Sequence, residues 1–217
     1  MGYLKRKIYF IAGIAAFIII AVLLTKCVAE PVGGAVDNTG SDISNVYRDD
    51  KPGNETILKP GIYKGGIDIA EGRYIVTPTN GGYGNFIIYD LEGMPLINDV
   101  LGVINEEAGV ESITCSIDAG QEITINGVTA TFTPVEVKLL DRLTAGHWQV
   151  GKDIEEGTYT VATEDIREGN LVVLDGKDPA VSVEFNSNEG KNNYIITIKN
   201  KQYIRIEKLN AVEFIRK

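Results

Sequence analysis

Histidine and cysteine are nearly missing from this chain of 217 residues, which contains one histidine, His147, and two cysteines, Cys27 and Cys115. Nucleophilic catalysis usually needs a base beside the nucleophile, and structural zinc needs four closely spaced Cys or His ligands. Two cysteines also do not make a disulfide framework. The scarcity argues against a histidine-dependent hydrolase, a zinc protein and a disulfide scaffold.

Positive charge is also scarce beyond the N-terminus. The formal net charge is −9, and residues 1–27 carry four cations and no acid, which leaves −13 on the rest of the chain. A body this acidic repels phosphate backbones, so nucleic acid is not an expected partner. Because no glycine-rich loop leads into a helix, a phosphate-binding loop is not expected either, and we expect no cofactor.

An uncharged apolar run occupies residues 8–25. As a helix these residues span roughly 27 Å, close to the thickness of a bilayer core. Three cations precede the run and an acidic chain follows it, so the positive-inside rule places residues 1–7 in the cytoplasm and the bulk of the chain outside. The run therefore predicts an uncleaved transmembrane signal-anchor helix in the cell membrane, with the lipid bilayer as its first partner.

Two other N-terminal arrangements compete with the anchor. A cleaved signal peptide has a shorter apolar region, although Cys27-Val28-Ala29 offers small residues for cleavage. A lipoprotein is disfavoured by Lys26 before Cys27. Residues 26–57 are rich in Gly, Asp, Asn, Ser and Pro, and we interpret them as a flexible acidic linker.

One stretch of the sequence occurs twice: residues 61–90 and 146–175 align without a gap at a constant offset of 85. The identical pairs are Gly61/Gly146, Gly66/Gly151, Asp68/Asp153, Ile69/Ile154, Glu71/Glu156, Gly72/Gly157, Tyr74/Tyr159, Val76/Val161, Gly84/Gly169, Asn85/Asn170 and Asp90/Asp175. A repeat of this kind indicates a duplicated structural unit.

Each copy has the pattern of a β-hairpin, since apolar and polar residues alternate on both sides of a short turn that ends in Gly. We interpret Gly72 and Gly157 as turn glycines with positive φ. Asp68 and Asp153 are interpreted as turn carboxylates that accept backbone N–H bonds. The Gly-Asn pairs at the start of the next segment are also predicted to lie in turns.

Short alternating segments continue to the end of each copy, with one exception: the apolar residues of 96–104 have helical spacing, which predicts a short helix or turn. Six or seven strands in under 80 residues favour an antiparallel sandwich or small barrel. The sequence thus predicts an all-β protein with two tandem modules, residues 58–134 and 143–217. Because the connection between them is short and alternating, we expect the modules to dock in a fixed relation.

The segments AGHWQVGKDIEEGTYTV and PGIYKGGIDIAEGRYIV carry a resemblance to a known module. They resemble A-G-x-Y-x-V-G-x-D-I-x-x-G-x-Y, followed by G-N-x-x-V and G-D-x-I-x-I, which is found in exported, membrane-attached or lipid-attached proteins of Gram-positive bacteria. This chain departs from it at Gly65 and Trp148. The resemblance implies an extracytoplasmic setting for nearly everything after residue 57, and it implies no catalytic residue.

Repeated side chains supply the candidate sites. The carboxylates Asp68, Glu71, Asp153 and Glu156 are weak candidates for a calcium site, because calcium takes six to eight oxygen ligands. The rings of Tyr63, Trp148, Tyr74 and Tyr159 are candidates for stacking on a glycan or wall polymer, if they face outward. Core packing is the competing interpretation of the rings.

Three single features have structural interpretations. Cys115 alternates in phase with apolar neighbours and is predicted to be a core thiol. His147 stands where the first copy has Ile62, which argues against a mechanism shared by the copies. Residues 199–217 have a local excess of four cations, which suits either a solvated strand or contact with anionic wall polymer or lipid headgroups.

These features predict a non-enzymatic, single-pass anchored protein with two β modules for interaction or scaffolding at the cell surface, where another surface protein is a further possible partner. A glycan or wall-polymer binding module is the alternative, followed by a calcium-dependent sensor or an enzyme.

Overall fold

The computed structural model describes residues 52–104 and 108–217, which fall in one compact unit. The predicted cytoplasmic tail, the transmembrane helix at residues 8–25 and most of the predicted linker lie outside the described residues. Within the described part, no helix is long and apolar enough to cross a bilayer. The described residues form strands joined by turns and two short 3-10 segments, which confirms the all-β prediction.

The described chain has a first half with eight strands and a second half with six. The first half contains β1 (Thr56–Leu58), β2 (Gly61–Lys64), β3 (Gly72–Pro78), β4 (Gly84–Tyr89), β5 (Pro95–Leu101), β6 (Ile113–Ile117), β7 (Glu122–Asn126) and β8 (Ala130–Pro134). The second half contains β9 (Arg142–Gln149), β10 (Gly157–Ala162), β11 (Gly169–Asp175), β12 (Asp178–Phe185), β13 (Asn193–Ile198) and β14 (Tyr203–Arg216).

The strand pairs of the first half recur in the second. Strand β3 lies between β6 and β8, as β10 lies between β13 and the C-terminal part of β14. Strand β7 pairs with β2 and β4, as the N-terminal part of β14 pairs with β9 and β11. The hairpins β4–β5 and β11–β12 also correspond. Strand β14 thus takes the places of β7 and β8, and β9 takes those of β1 and β2.

The strands form two open sheets in a sandwich-like arrangement. One has the path β1-β8-β3-β6-β9-β14-β10-β13, with β11 and β12 attached through β14, and the other has the order β2-β7-β4-β5. Strands β6 and β9 join the halves and run parallel, while the other strand pairs within the sheets are antiparallel. The two halves are therefore in direct contact through a pair of parallel strands.

Each half has its own hydrophobic core, built from the inward-facing residues of its strands. Cys115 lies in the first core and is fully buried, and burial raises the pKa of its thiol to about 12. The prediction of a core thiol is confirmed. Ala145 of β9 also belongs to the first core, so the second half completes the packing of the first.

The β-hairpin predicted in each copy does not form: β2 pairs with β7 whereas β3 pairs with β6 and β8, and β9 and β10 likewise pair with other strands and not with each other. The positive φ of the two glycines and the N–H bonds to the two aspartates are confirmed, although Gly72 and Gly157 begin strands β3 and β10. Gly72 and Gly157 have φ values of 145° and 159°. The Oδ2 atom of Asp68 accepts the Lys64 N–H at 2.8 Å. The Oδ2 atom of Asp153 accepts the corresponding N–H four residues before it at 2.7 Å.

Two other local predictions are wrong. Residues 95–101 form a strand and not a short helix, because they pair with β4 along the whole of β5 and bury alternate side chains. The Gly-Asn pairs begin strands β4 and β11 and do not form turns. A Cβ on Gly84 would lie 2.0 Å from the Asn126 carbonyl oxygen, so this glycine admits the neighbouring strand.

Candidate functional site

Two of the repeated rings, Tyr74 and Tyr159, lie in the cores. Their exposed fractions are 0% and 4%. Each hydroxyl donates to the backbone carbonyl four residues earlier, at 2.7 Å for Tyr74 and 2.9 Å for Tyr159. Each ring packs edge-on against a phenylalanine with ring centroids 5.8 Å apart, Phe132 in the first half and Phe214 in the second. The two tyrosines therefore make equivalent core contacts in the two halves.

The other repeated pair, Tyr63 and Trp148, also faces the protein. Trp148 is buried, and Tyr63 is half-buried against the first core. Their polar atoms again donate to the carbonyl four residues earlier, at 2.9 Å for Tyr63 Oη and 2.8 Å for Trp148 Nε1. The stacking hypothesis needed outward faces on these four rings, whereas Tyr74, Tyr159 and Trp148 are buried and Tyr63 is half-buried.

The repeated carboxylates do not come together as a metal site. Across residues 52–104 and 108–217, no three His, Cys, Asp or Glu side chains are placed to hold a cation. Asp68 and Asp153 are engaged in their turns. Glu71 is exposed, and Glu156 Oε2 accepts the Asn200 N–H at 3.2 Å. The calcium hypothesis therefore has no set of ligands in this conformation.

The feature that the structure does build is the junction between the halves. Strand β9 lies beside β6, with Ala145 opposite Ile113 and Gly146 opposite Thr114. Gly146 has a φ of 124°, and a Cβ there would lie 1.9 Å from the Thr114 carbonyl oxygen. Only glycine permits this conformation and this approach. The Oγ1 atoms of Thr114 and Thr144 lie 3.0 Å apart across the same contact.

A buried ion pair holds the junction. Arg73 of β3 reaches from the first half to Asp153 of the second, with Nη2 at 2.9 Å from Oδ1, and both side chains are 4% exposed. The guanidinium also lies over the Trp148 ring, 5.0 Å from its centroid, and donates to Ser116 Oγ at 3.2 Å. Its charge and most of its donors are thus satisfied within the interface.

Further polar contacts cross between the halves beyond this pair. Asp99 of β5 accepts the Lys208 N–H at 2.8 Å. Burial raises the pKa of Asp99, and the backbone N–H groups of Lys208 and Val100 partly offset that effect. Arg167 holds Asp165 and donates to the Gly109 carbonyl. The halves are therefore joined by backbone, ionic and hydrogen-bonded contacts at once.

A cleft of about 370 Å³ lies beside the junction, between the turns of the β4–β5 and β11–β12 hairpins. Its walls are mostly apolar, with Met94, Leu96, Val172, Leu174, Pro179 and Tyr203 as the main contributors. His147 and Arg205 also line it. At the rim, Lys177 of one hairpin binds Glu92 of the other, with 3.0 Å between Nζ and Oε2. A volume of this size is in the range of small-molecule sites.

His147 is buried between the halves, with an exposed fraction of 4%. Burial, followed by the charge of Arg205 opposite it in β14, lowers the pKa of His147 to about 3. The imidazole is therefore neutral at physiological pH. It contributes a polar group to the junction and the cleft wall rather than a charge.

The excess of cations near the C-terminus is partly neutralised. Arg205 pairs with Glu207 at 2.9 Å, and Arg216 pairs with Glu155 and lies over the ring of Tyr159. Lysines 199, 201, 208 and 217 remain exposed. The surface is thus a mixed strand face with scattered lysines.

Sequence reasoning missed Arg73, the residue on which the junction depends. Arg73 stands where the second half has Thr158, so it breaks the repeat. A charged residue in one copy, where the other copy has an uncharged one, indicates that the side chain makes a contact that the two copies do not share. The sequence does not show that Asp153, and not Asp68, is its partner.

No family model, curated protein or solved structure matches this chain.

Proposed function

We propose that this chain is a single-pass membrane-anchored protein whose two β halves are tandem copies of one module and form a non-catalytic interaction or scaffolding unit outside the cytoplasm. One observation carries the proposal: the repeated side chains make the same structural contacts in both halves. The carboxylates of Asp68 and Asp153 close equivalent turns, and Tyr74 and Tyr159 bond equivalent carbonyls. The duplication thus preserves a scaffold.

The residues that differ between the halves support the same role. Arg73 and His147 have Thr158 and Ile62 as counterparts, and both lie in the junction. Arg73 binds Asp153 of the other half, and His147 is buried between the halves, so both side chains stabilise the contact between them. A rigid two-part unit suits a protein that holds partners at a defined spacing.

The anchor rests on residues 8–25, an uncharged run long enough for a bilayer core, with three cations before it and an acidic chain after it. An orientation with the C-terminus outside follows from that charge asymmetry.

Protease treatment of intact cells tests the placement. With epitope tags at both ends of the full chain, we expect added protease to remove the C-terminal tag and leave the N-terminal tag until the cells are permeabilised. Alkaline extraction is expected to leave the protein in the membrane fraction. Protection of both tags, or recovery of the chain in the cytosol, would contradict the proposal.

The cleft favours a second candidate role, the binding of a small amphipathic molecule. Its walls are mostly apolar, and a carboxylate head group would compete with Glu207 for the guanidinium of Arg205 in the wall. Decanoate is a suitable probe. We expect millimolar decanoate to raise the unfolding temperature of the protein, and Leu174→Glu in the cleft to remove the effect. Leu139→Glu at an exposed site is the matched control, and equal stabilisation of both variants would exclude the cleft.

A further inference from the structure

The junction is made by two different surfaces, one on each half. The first half supplies a receiving surface on β3 and β6, with Arg73 and Thr114 at its centre. The second half supplies an inserting surface on β9 and the turn after it, with Gly146, Trp148 and Asp153. Because the halves have the same strand pairing, each surface has a counterpart on the other half.

Within the described residues, these counterparts lie on or next to strands at the ends of the sheets. The counterpart of the receiving surface is on β10 and β13, where Thr158 and Ile195 take the places of Arg73 and Thr114. The counterpart of the inserting surface is on residues 59–68, which contain β2. Within the described chain, β13 and β1 are the end strands of the large sheet and β2 is an end strand of the small one. Each therefore has an edge without a neighbouring strand in that part of the chain.

Both counterpart surfaces carry exposed isoleucines. Ile62 and Ile67 stand where the inserting surface has His147 and Lys152, and their exposed fractions are 69% and 75%. On the other surface, Ile195 is 64% exposed, and Ile215 lies in the same row across β10 with 60%. Exposed β-branched residues at a sheet edge promote pairing with another chain, although Lys59 and Lys64 place positive charge beside Ile62.

Glycine at position 61 fits the same contact. In the junction, Gly146 lets β9 approach the Thr114 carbonyl. At Gly61 the three atoms nearest to an added Cβ all belong to the Tyr63 side chain, and none of them is a backbone atom. The first half thus keeps the small residue at this position, without the positive φ of Gly146. Gly61 pairs with Ile125 of β7 on one side, and no second strand lies on its other side within the described residues.

We propose that a second copy of this chain docks head-to-tail through these surfaces, with β13 of one molecule parallel to residues 59–62 of the next. This partner deepens the scaffolding role proposed above and rests on it. Since the two surfaces differ, the contact is heterologous and propagates into an open chain of molecules unless it closes into a ring. The internal junction is its template.

The contact between molecules is weaker than the internal junction. The places of Arg73 and Asp153 are taken by Thr158 and Asp68, so no ion pair forms, and apolar burial by the isoleucines replaces it. Anchoring in one membrane raises the local concentration of the chains, which favours a contact of this kind.

Cysteine cross-linking on the full anchored chain tests the arrangement. Thr114 and Thr144 meet in the internal junction, and their counterparts are Ile195 and Lys59, both exposed. In a Cys27→Ser background, Ile195→Cys and Lys59→Cys are expressed together with different tags and treated with a short bifunctional thiol reagent. We expect a dimer that carries both tags, and a ladder of larger species when one chain carries both substitutions.

Three results decide the test. Neither single variant alone is expected to form a dimer, because each surface meets the other and not itself. Adding Ile62→Lys is expected to lower the mixed dimer at least tenfold, whereas Leu91→Lys, an exposed control with the same 75% exposure as Ile67, is expected to leave it unchanged. Absence of the mixed dimer, or self-linking of Ile195→Cys alone, would overturn the proposal. Protease accessibility on intact cells is scored separately, so a failure of the anchored placement is distinguishable from a failure of the assembly.

Discussion

Asp68 and Asp153 show how one residue type takes on a second task after duplication. Both carboxylates accept a turn N–H, but Asp153 also binds a buried arginine. Asp153→Asn keeps an acceptor for the turn and removes the charge, which leaves Arg73 buried without an anion. We expect a loss of about 3–5 kcal/mol in the free energy of unfolding.

Asp68→Asn is the matched control for this substitution, because Asp68 lies in the corresponding turn of the first half and has no arginine beside it. We expect it to cost less than about 1 kcal/mol. Chemical denaturation followed by the fluorescence of Trp148, the single tryptophan, reports on the junction directly, since Arg73 lies over its ring. Equal losses in the two variants would show that the ion pair contributes nothing to stability.

The neutral His147 predicts a pH dependence. Burial and the nearby Arg205 lower its pKa to about 3, whereas a histidine in the unfolded chain titrates near about 6.5. Below pH 6.5 the unfolded state therefore takes up a proton that the folded state does not. The stability is complete above about pH 6.5 and falls as the pH drops toward 3.

Between pH 6.5 and pH 5 this single proton corresponds to a loss of about 2 kcal/mol. Denaturation midpoints at the two pH values measure the loss, and His147→Gln is expected to reduce it to the contribution of the other groups. If the variant retained the full pH dependence of the original chain, the buried imidazole would not be its source.

At the scale of elements, the strands and turns of the repeated segment were predictable because local chemistry determines them, but the predicted hairpin pairing was wrong, since β2 does not pair with β3 and β9 does not pair with β10. Alternation marks the strands, and Gly72, Gly157 and the two aspartates mark the turns. Strand β5 was not predictable in the same way, because the spacing of its apolar residues resembles a helix and only its pairing with β4 decides the outcome. The turn prediction for the Gly-Asn pairs was wrong for a related reason. The glycine is needed because a neighbouring strand packs closely against it, and not because the chain turns there.

The junction was even less accessible from the sequence. The alignment shows that Gly61 and Gly146 correspond, but it does not show that Gly146 alone is packed against another strand. The four rings could be assigned to core or surface only with the strands in place. Local pattern therefore predicted the fold class, and contacts between distant strands determined the candidate site.

Gly146 provides a prediction at the element scale. A methyl group at Gly146 would lie 1.9 Å from the Thr114 carbonyl oxygen, and the φ of 124° is unfavourable for alanine. We expect Gly146→Ala to cost about 3 kcal/mol or more and to separate β9 from β6. Hydrogen exchange at the β6 and β9 amides measures that separation.

Gly61→Ala is the comparison for this variant. The closest contact of the added methyl group is 3.1 Å, to the hydroxyl oxygen of Tyr63, so a cost of about 1 kcal/mol is expected, without a change in exchange at β6. Unchanged protection of β6 and β9 in Gly146→Ala would contradict the close approach of the two strands.

At the scale of the whole molecule, two halves with one scaffold have different tasks. The first half supplies the receiving surface of the junction and the second half supplies the inserting surface. The Arg73–Asp153 ion pair and the close approach at Gly146 both lie in this junction. The outer counterparts of these surfaces carry isoleucine and threonine instead. A scaffold with one internal junction, and with exposed isoleucines on the two outer surfaces, agrees with both the anchored placement and the head-to-tail contact proposed above.

The most direct test of the account is the distance between the halves. Spin labels at Thr133→Cys and Lys199→Cys, both exposed positions, probe one half each in a Cys27→Ser background, and Cys115 is too buried to react. Labelled chains are diluted with unlabelled chains so that only distances within one molecule are measured by pulsed electron resonance. We expect a single narrow distance distribution that broadens in Gly146→Ala. A broad distribution in the original chain would contradict a fixed junction between the two halves.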